Sequence, residues 1–171
     1  MFPALIDEQS FIEPDNLERS LQKLAEKKAD HIAGYQNDAL VIGADTVVCS
    51  DSTILGKPAS RDEAFAMLRQ LSGKKHYVKT AVALVCRECA FSQSIVDTTE
   101  VYFREITDSE IHEYLAEDEY KDKAGAYAIQ GQALVFIDKI FGCYYNVVGL
   151  PVAGTIKLFK EFVGRKEAAD V

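Results

Sequence analysis

The stretch with the most chemical content is Gly43-Ala44-Asp45-Thr46-Val47-Val48, followed by Ile54-Leu55-Gly56-Lys57-Pro58. An acid inside an apolar run must be paired, metal-bound or shifted in pKa, because an isolated buried charge is too unfavourable. If Ser50-Asp51-Ser52-Thr53 is a turn, the chain folds back and sets Lys57 beside Asp45 or Thr46. Gly56 would let backbone approach a ligand closely. Two readings stay open here: an ion pair closing a hairpin, or an acid and an ammonium sharing a ligand site.

A second stretch is Asp122-Lys123-Ala124-Gly125-Ala126-Tyr127-Ala128-Ile129-Gln130-Gly131. Its small residues allow close approach of another surface, and Gln130 offers one amide acceptor and two donors, enough to match an imide-type base edge. The competing reading is a Gly-rich turn with a solvated glutamine. Asn146-Val147-Val148-Gly149-Leu150-Pro151 reads as a connection into a helix. Neither Lys57 nor Lys74 has the glycine and hydroxyl residue that a Walker A loop needs, and no G-x-G-x-x-G occurs. Cys86-Arg87-Glu88-Cys89 has metal-ligand spacing but no second C-x-x-C, which favours two hairpin-tip thiols over zinc. His31, His76 and His112 are scattered and read as structural or surface residues.

The elements that must position these residues follow from capping and periodicity. Asp15 with Glu18, Ser60 with Glu63 and Thr107 with Glu110 carry the capping-box spacing. They predict a helix to about Ala33 with Leu17, Leu21, Leu24 and Ile32 inward. A second helix buries Ala64, Met67, Leu68 and Leu71 and stops at Ser72-Gly73, and a third carries Ile111, Tyr114 and Leu115. Pro151 should open a last helix with Val152, Ile156, Phe159 and Val163 on its core face. Ala39–Val48 reads as a strand covered on both faces. His76–Cys86 with Gln93–Arg104 reads as one hairpin, and Leu134–Ile140 with Cys143–Val148 as another. The class is α/β or α+β, in one domain spanning 1–171.

Composition sets the outer bounds. The 171 residues, 48% apolar and 27% charged, exclude disorder and low complexity. A net charge of −8 argues against a nucleic acid polymer as partner, while leaving room for a small anion near local lysines. Four cysteines are no disulfide framework, Met1-Phe2-Pro3 lacks the basic start of a signal peptide, and no apolar run reaches the ~18 residues of a membrane span. A cytoplasmic protein without membrane contact is the expectation.

Gly43–Val48, Ile54–Pro58, Leu71-Ser72-Gly73, Asp122–Gly131 and Asn146–Pro151, in this order, resemble the Maf family of nucleoside triphosphate pyrophosphatases. Ile6-Asp7-Glu8 and Leu24-Ala25 with Lys28-Ala29 are weaker echoes. The resemblance implies an elongated mixed sheet flanked by helices, with a cleft between two lobes, as in inosine triphosphate pyrophosphatases. It implies hydrolysis of a nucleoside triphosphate to monophosphate and pyrophosphate with Mg²⁺ or Mn²⁺. By the same likeness Asp45 matches the carboxylate that activates water, Glu8 and Asp45 the metal-holding carboxylates, and Lys28 and Lys57 phosphate-facing lysines. Thr46 and Gln130 match the positions tied to base choice. The dTTP/UTP branch shares Asp-Thr and Ile-Gln-Gly with this chain, and a glutamine amide complements O4 and N3–H of a pyrimidine.

The family's Ser-x-Ser-Pro-Arg-Arg loop has no counterpart in this sequence, so its strand and arginine clamps are expected to be missing from this chain. Ser52 and Ala128 stand where the family usually has glycine. The missing loop gives weight to an alternative, a catalytically silent member that binds nucleotide or a partner and acts in cell division, since the family is associated with septum formation. Family analogy also suggests a homodimer. A haloacid-dehalogenase-like phosphatase is excluded, because Val47 stands where that chemistry needs a second acid.

Overall fold

The computed structural model describes residues 13–36, 38–51 and 53–169. Among the described residues five strands form one sheet: β1 (Val41–Ser50), β2 (Thr53–Leu55), β3 (Lys75–Cys86), β4 (Phe91–Phe103) and β5 (Ile137–Phe141), in the order β2-β1-β3-β4-β5. The helices are α1 (Leu17–Ala33), α2 (Arg61–Leu71), α3 (Asp108–Ala116), α4 (Tyr144–Val148) and α5 (Val152–Ala169). This is the expected α/β class. No helix among the described residues is long and apolar enough to cross a membrane.

The contacts divide the chain into two compact units. The first holds the described residues through Asp45, Thr80–Asp97 and 149–169. Its core gathers Val82, Leu84, Cys86, Phe91 and Leu158, with Ala44, Ile95 and Phe162 packed on it. The second holds Thr46–Lys79 and Thr98–Val148, and its core includes Val48, Leu68, Leu71, Val78, Val101, Phe103, Ile111 and Tyr127.

Capping explains where two helices begin. Thr107 and Glu110 make the full reciprocal box: Glu110 N–H donates to Thr107 Oγ1 at 3.3 Å, and Thr107 N–H to Glu110 Oε2 at 2.8 Å. Arg104, then the Thr107 backbone and hydroxyl, pull the Glu110 carboxyl down to about 2. At α2, Ser60 accepts from Glu63 N–H as expected, but the Glu63 carboxylate reaches one residue further back, to Ala59 N–H at 2.7 Å. Asp15 is not the cap of α1. Asn16 occupies the cap of α1 without a side-chain bond, after a 3₁₀ turn over Pro14–Asn16. Ser20 ties that start down instead, donating to Asn16 O at 3.0 Å and accepting from Glu13 N–H at 3.2 Å.

Three other expectations need correction. The strand read as Ala39–Val48 runs from Val41 to Ser50, and Ile42 on it is 54% exposed, so the strand is not covered on both faces. The second hairpin is absent: Gln132–Phe136 is a 3₁₀ turn, β5 pairs antiparallel with β4, and the residues after Gly142 turn into α4. Side-chain bonds capture that turn. Asn146 Nδ2 donates to Val78 O at 3.0 Å and to Thr99 Oγ1 at 2.9 Å, while Cys143 N–H donates to Thr99 Oγ1 at 3.0 Å. Finally, α5 is rotated from its expected face. Thr155 and Leu158 are buried, whereas Val152, Ile156 and Phe159 are exposed. A Cβ at Gly154 would collide with Ile95 Cδ1, so the glycine face is the one that meets the sheet.

His76 is completely buried on β3, with Phe103 and Tyr127 edge-on to its ring. Burial pushes its pKa down from 6.5 to about 4. A folded value below the unfolded one means that protons bind the unfolded chain preferentially. Stability is therefore full above pH 6.5 and declines as the pH falls towards 4, by about 3 kcal/mol in all. Urea unfolding across this range should show that loss in the native chain, and His76→Phe should flatten it. An unchanged slope in the variant would assign the acid sensitivity elsewhere.

Candidate active site

In the first unit, α1 is set directly on β1 by three small residues. A Cβ at Gly43 would collide with Ala25 O and lie 2.7 Å from Ala29 N, so helix backbone and strand backbone touch where no side chain intervenes. Ala25 and Ala29, one turn apart, are fully buried at this contact. Lys28 lies on the same turn of helix, and Asp45 lies two residues along the strand from Gly43, on the same face. The result is an ion pair: Lys28 Nζ donates to Asp45 Oδ1 at 2.5 Å. Both side chains are largely shielded, 16% and 10% exposed. The expectation that a strand-borne acid must have a partner is met, with the lysine coming from α1.

Lower on the same unit, α1 and the β3–β4 hairpin are laced by polar bonds. Ser94 Oγ donates to Glu26 Oε1 at 2.6 Å, and Arg87 makes two bonds to Asp30 at 2.8 and 2.7 Å. These orient the helix that carries Lys28. Cys86 and Cys89 are thiols flanking the same hairpin turn, with Cys89 N–H donating to Cys86 Sγ at 3.3 Å.

In the second unit, β1 and β2 pair antiparallel with Val48 opposite Leu55 and Ser50 opposite Thr53. The turn expected at residues 50–53 is therefore present. Thr46 is half-buried and Lys57 exposed. Gly56, just before Lys57, accepts from Gly125 N–H at 3.0 Å, which ties the lysine loop to the segment that leads to Gln130. Gln130 lies in a turn with its side chain exposed. Glu8 lies outside the described residues.

Among the described residues no group of three or more His, Cys, Asp and Glu could hold a metal. Asp45 is a hard oxygen donor, which suits Mg²⁺, an ion that takes one or two carboxylates and fills its sphere with water and phosphate oxygens.

The sequence profile described as Maf-like protein matches residues 1–162. This chain belongs to the Maf family. Curated relatives in the family include a dTTP/UTP pyrophosphatase of Bacillus velezensis, 48% identical over 145 residues, covering 85% of this chain and 76% of the relative. Another, from a Geobacillus species, is 47% identical over 156 residues, 91% of this chain and 82% of the relative. A third, from Syntrophomonas wolfei, is 45% identical over 152 residues, 88% and 79% respectively, and both carry the same name. The Maf resemblance drawn from ordered motifs is thus correct. Missed from the sequence were the Gly43–Ala25–Ala29 contact, whose signal is a glycine in a strand and alanines at i and i+4, and the Thr99–Asn146 bond, which has no sequence signal.

Removing one member of a shielded ion pair takes a partner from the other charge. Lys28→Met should lower stability in urea unfolding, and Lys28→Met with Asp45→Leu should show a coupling between the two positions. Full additivity of the single changes would mean that the two groups do not interact. Gly43→Ala should destabilise by about 1–3 kcal/mol through overpacking against helix backbone, read as a lower unfolding midpoint.

Proposed function

We propose that this Maf protein hydrolyses dTTP and UTP to the nucleoside monophosphate and pyrophosphate. The observation that carries the reading is the shielded pair of Asp45 on β1 and Lys28 on α1, in a family whose relatives at 45–48% identity are named dTTP/UTP pyrophosphatases. Cleavage at the α-phosphorus needs a water aimed in line and negative charge neutralised, a task of positioning and electrostatics. Asp45, restricted by Lys28 and the Gly43 contact, accepts the proton of the attacking water. Lys28 and Lys57 supply positive charge to the triphosphate. Thr46 and the Gln130 amide read the base: the amide N–H donates to O4 and the amide oxygen accepts N3–H, a pairing that the adenine edge does not offer in that order.

Asp45 and Glu8 are the carboxylates that would hold Mg²⁺ or Mn²⁺. When bound, that ion neutralises charge on the phosphates. With few carboxylates in the set, it is carried largely by substrate and water oxygens.

Pyrophosphate release from a panel of nucleoside triphosphates, with Mg²⁺ or Mn²⁺, tests this reading. UTP or dTTP should be preferred, and Asp45→Asn should lose at least ~100-fold in kcat, the size of a general-base contribution. Equal turnover by the native chain and the variant would remove Asp45 from the chemistry. Tight nucleotide binding without turnover would instead support the nucleotide-binding regulator.

A further inference from the structure

Between Asp122 and Gln132 the backbone repeatedly takes left-handed conformations. Asp122, Gly125 and Ala126 have φ of 60, 68 and 62°. For Ala126, fully buried and carrying a Cβ, that conformation is unfavourable and persists only if the surroundings impose it. The surroundings do so at several points, all within the second unit. A Cβ on Gly125 would lie 2.9 Å from Val48, and Gly125 N–H donates to Gly56 O. The Tyr127 hydroxyl lies 2.8 Å from His76 Nε2. Gln132 N–H donates to Glu119 Oε2 at 2.8 Å, and a Cβ at Gly131 would collide with the same carboxylate. From Gly125 to Gln130 the side chains are buried or half-buried except for Gln130. The stretch from Gly125 to Gln130, pinned on both sides, therefore presents the Gln130 amide outwards.

The His76–Tyr127 bond is the unusual pin. Both rings are buried, Phe103 is edge-on to each at 4.8 and 4.9 Å, and His76 Nδ1 has no hydrogen-bond partner among the described residues. As filling for an aromatic core, two phenylalanines would serve without an unsatisfied buried nitrogen. What the polar pair adds is direction. A hydrogen bond at the ring tip sets the depth and rotation of Tyr127, and with it the backbone three residues before Gln130.

We infer that His76 and Tyr127 are positioning residues for base recognition, holding the 125–132 segment so that Gln130 meets the edge of a uridine or thymidine nucleotide. The inference rests on the base-reading role proposed for Gln130.

The test uses the full chain and compares Tyr127→Phe, His76→Phe, the double variant and Gln130→Ala. Two readouts are taken: kcat/KM for dTTP and UTP against dATP and ATP, whose N6–H and N1 reverse the donor and acceptor order, and amide hydrogen exchange over residues 125–131. Tyr127→Phe should lower the pyrimidine-over-purine ratio roughly three- to tenfold, the worth of one neutral hydrogen bond. The change should appear in KM, with kcat held within about twofold. Exchange at residues 128–131 should quicken. The double variant, which removes both polar groups together, should be as stable as the native chain or more so, yet keep the lowered ratio. A ratio that falls in Gln130→Ala and not in Tyr127→Phe would overturn the inference and leave the base reading standing. Unchanged exchange in Tyr127→Phe would overturn it independently of any substrate. A ratio unmoved by Gln130→Ala would sink the base reading and this inference with it.

Discussion

The contact between Gly43 and the backbone of α1 is the constraint on which the Lys28–Asp45 pair depends. Because no side chain separates strand and helix there, the two approach closely enough for Lys28 to reach Asp45. The ion pair is a consequence of that approach, and the small residues at Ala25 and Ala29 are its precondition. The Coulombic attraction offsets the loss of hydration for both groups, which leaves a negatively charged carboxylate in a fixed place on a rigid element. A loop could not hold it so well.

The second unit solves a different problem. Its polar tools, Thr46, Lys57 and Gln130, lie on a strand, on the loop after a hairpin and in a turn, and irregular segments hold position only where something grips them. Here the grip comes from backbone bonds such as Gly125 to Gly56, from glycines too close to neighbours to be replaced, and from a buried aromatic pair. The Gly125–Gly56 hydrogen bond holds the lysine loop to the glutamine segment, so a disturbance of either reaches both.

Much of this was legible in the residues alone, for definable reasons. Thr107 with Glu110 is a local signal acting over three residues, and it formed as written. The hairpin of β3 and β4 follows from two β-rich runs around a short polar turn. What misled was apolar content without a partner to test it against. Cys143–Val148 is rich enough in β-formers to read as a strand, and only the distant Thr99 and Val78, which Asn146 bonds, explain why it is a helical turn. The α5 face was misjudged in the same way: Val152, Ile156 and Phe159 make the better apolar stripe, but Gly154 decides which side can come close. For the site, the acid at Asp45 was readable because a charge in a buried strand demands explanation. Its partner was not, since Lys28 and Asp45 are brought together by a helix-to-strand contact with no fixed spacing in the chain.

Gly43 also acts as an index mark for β1. Strand residues alternate faces, so a slide of one position would offer the helix either Ile42 or Ala44 in its place, and neither can occupy a gap that excludes even a methyl group. The misaligned sheet is thereby rejected on steric grounds before any electrostatics enter. Proofreading of the strand's alignment is thus built in two residues from Asp45.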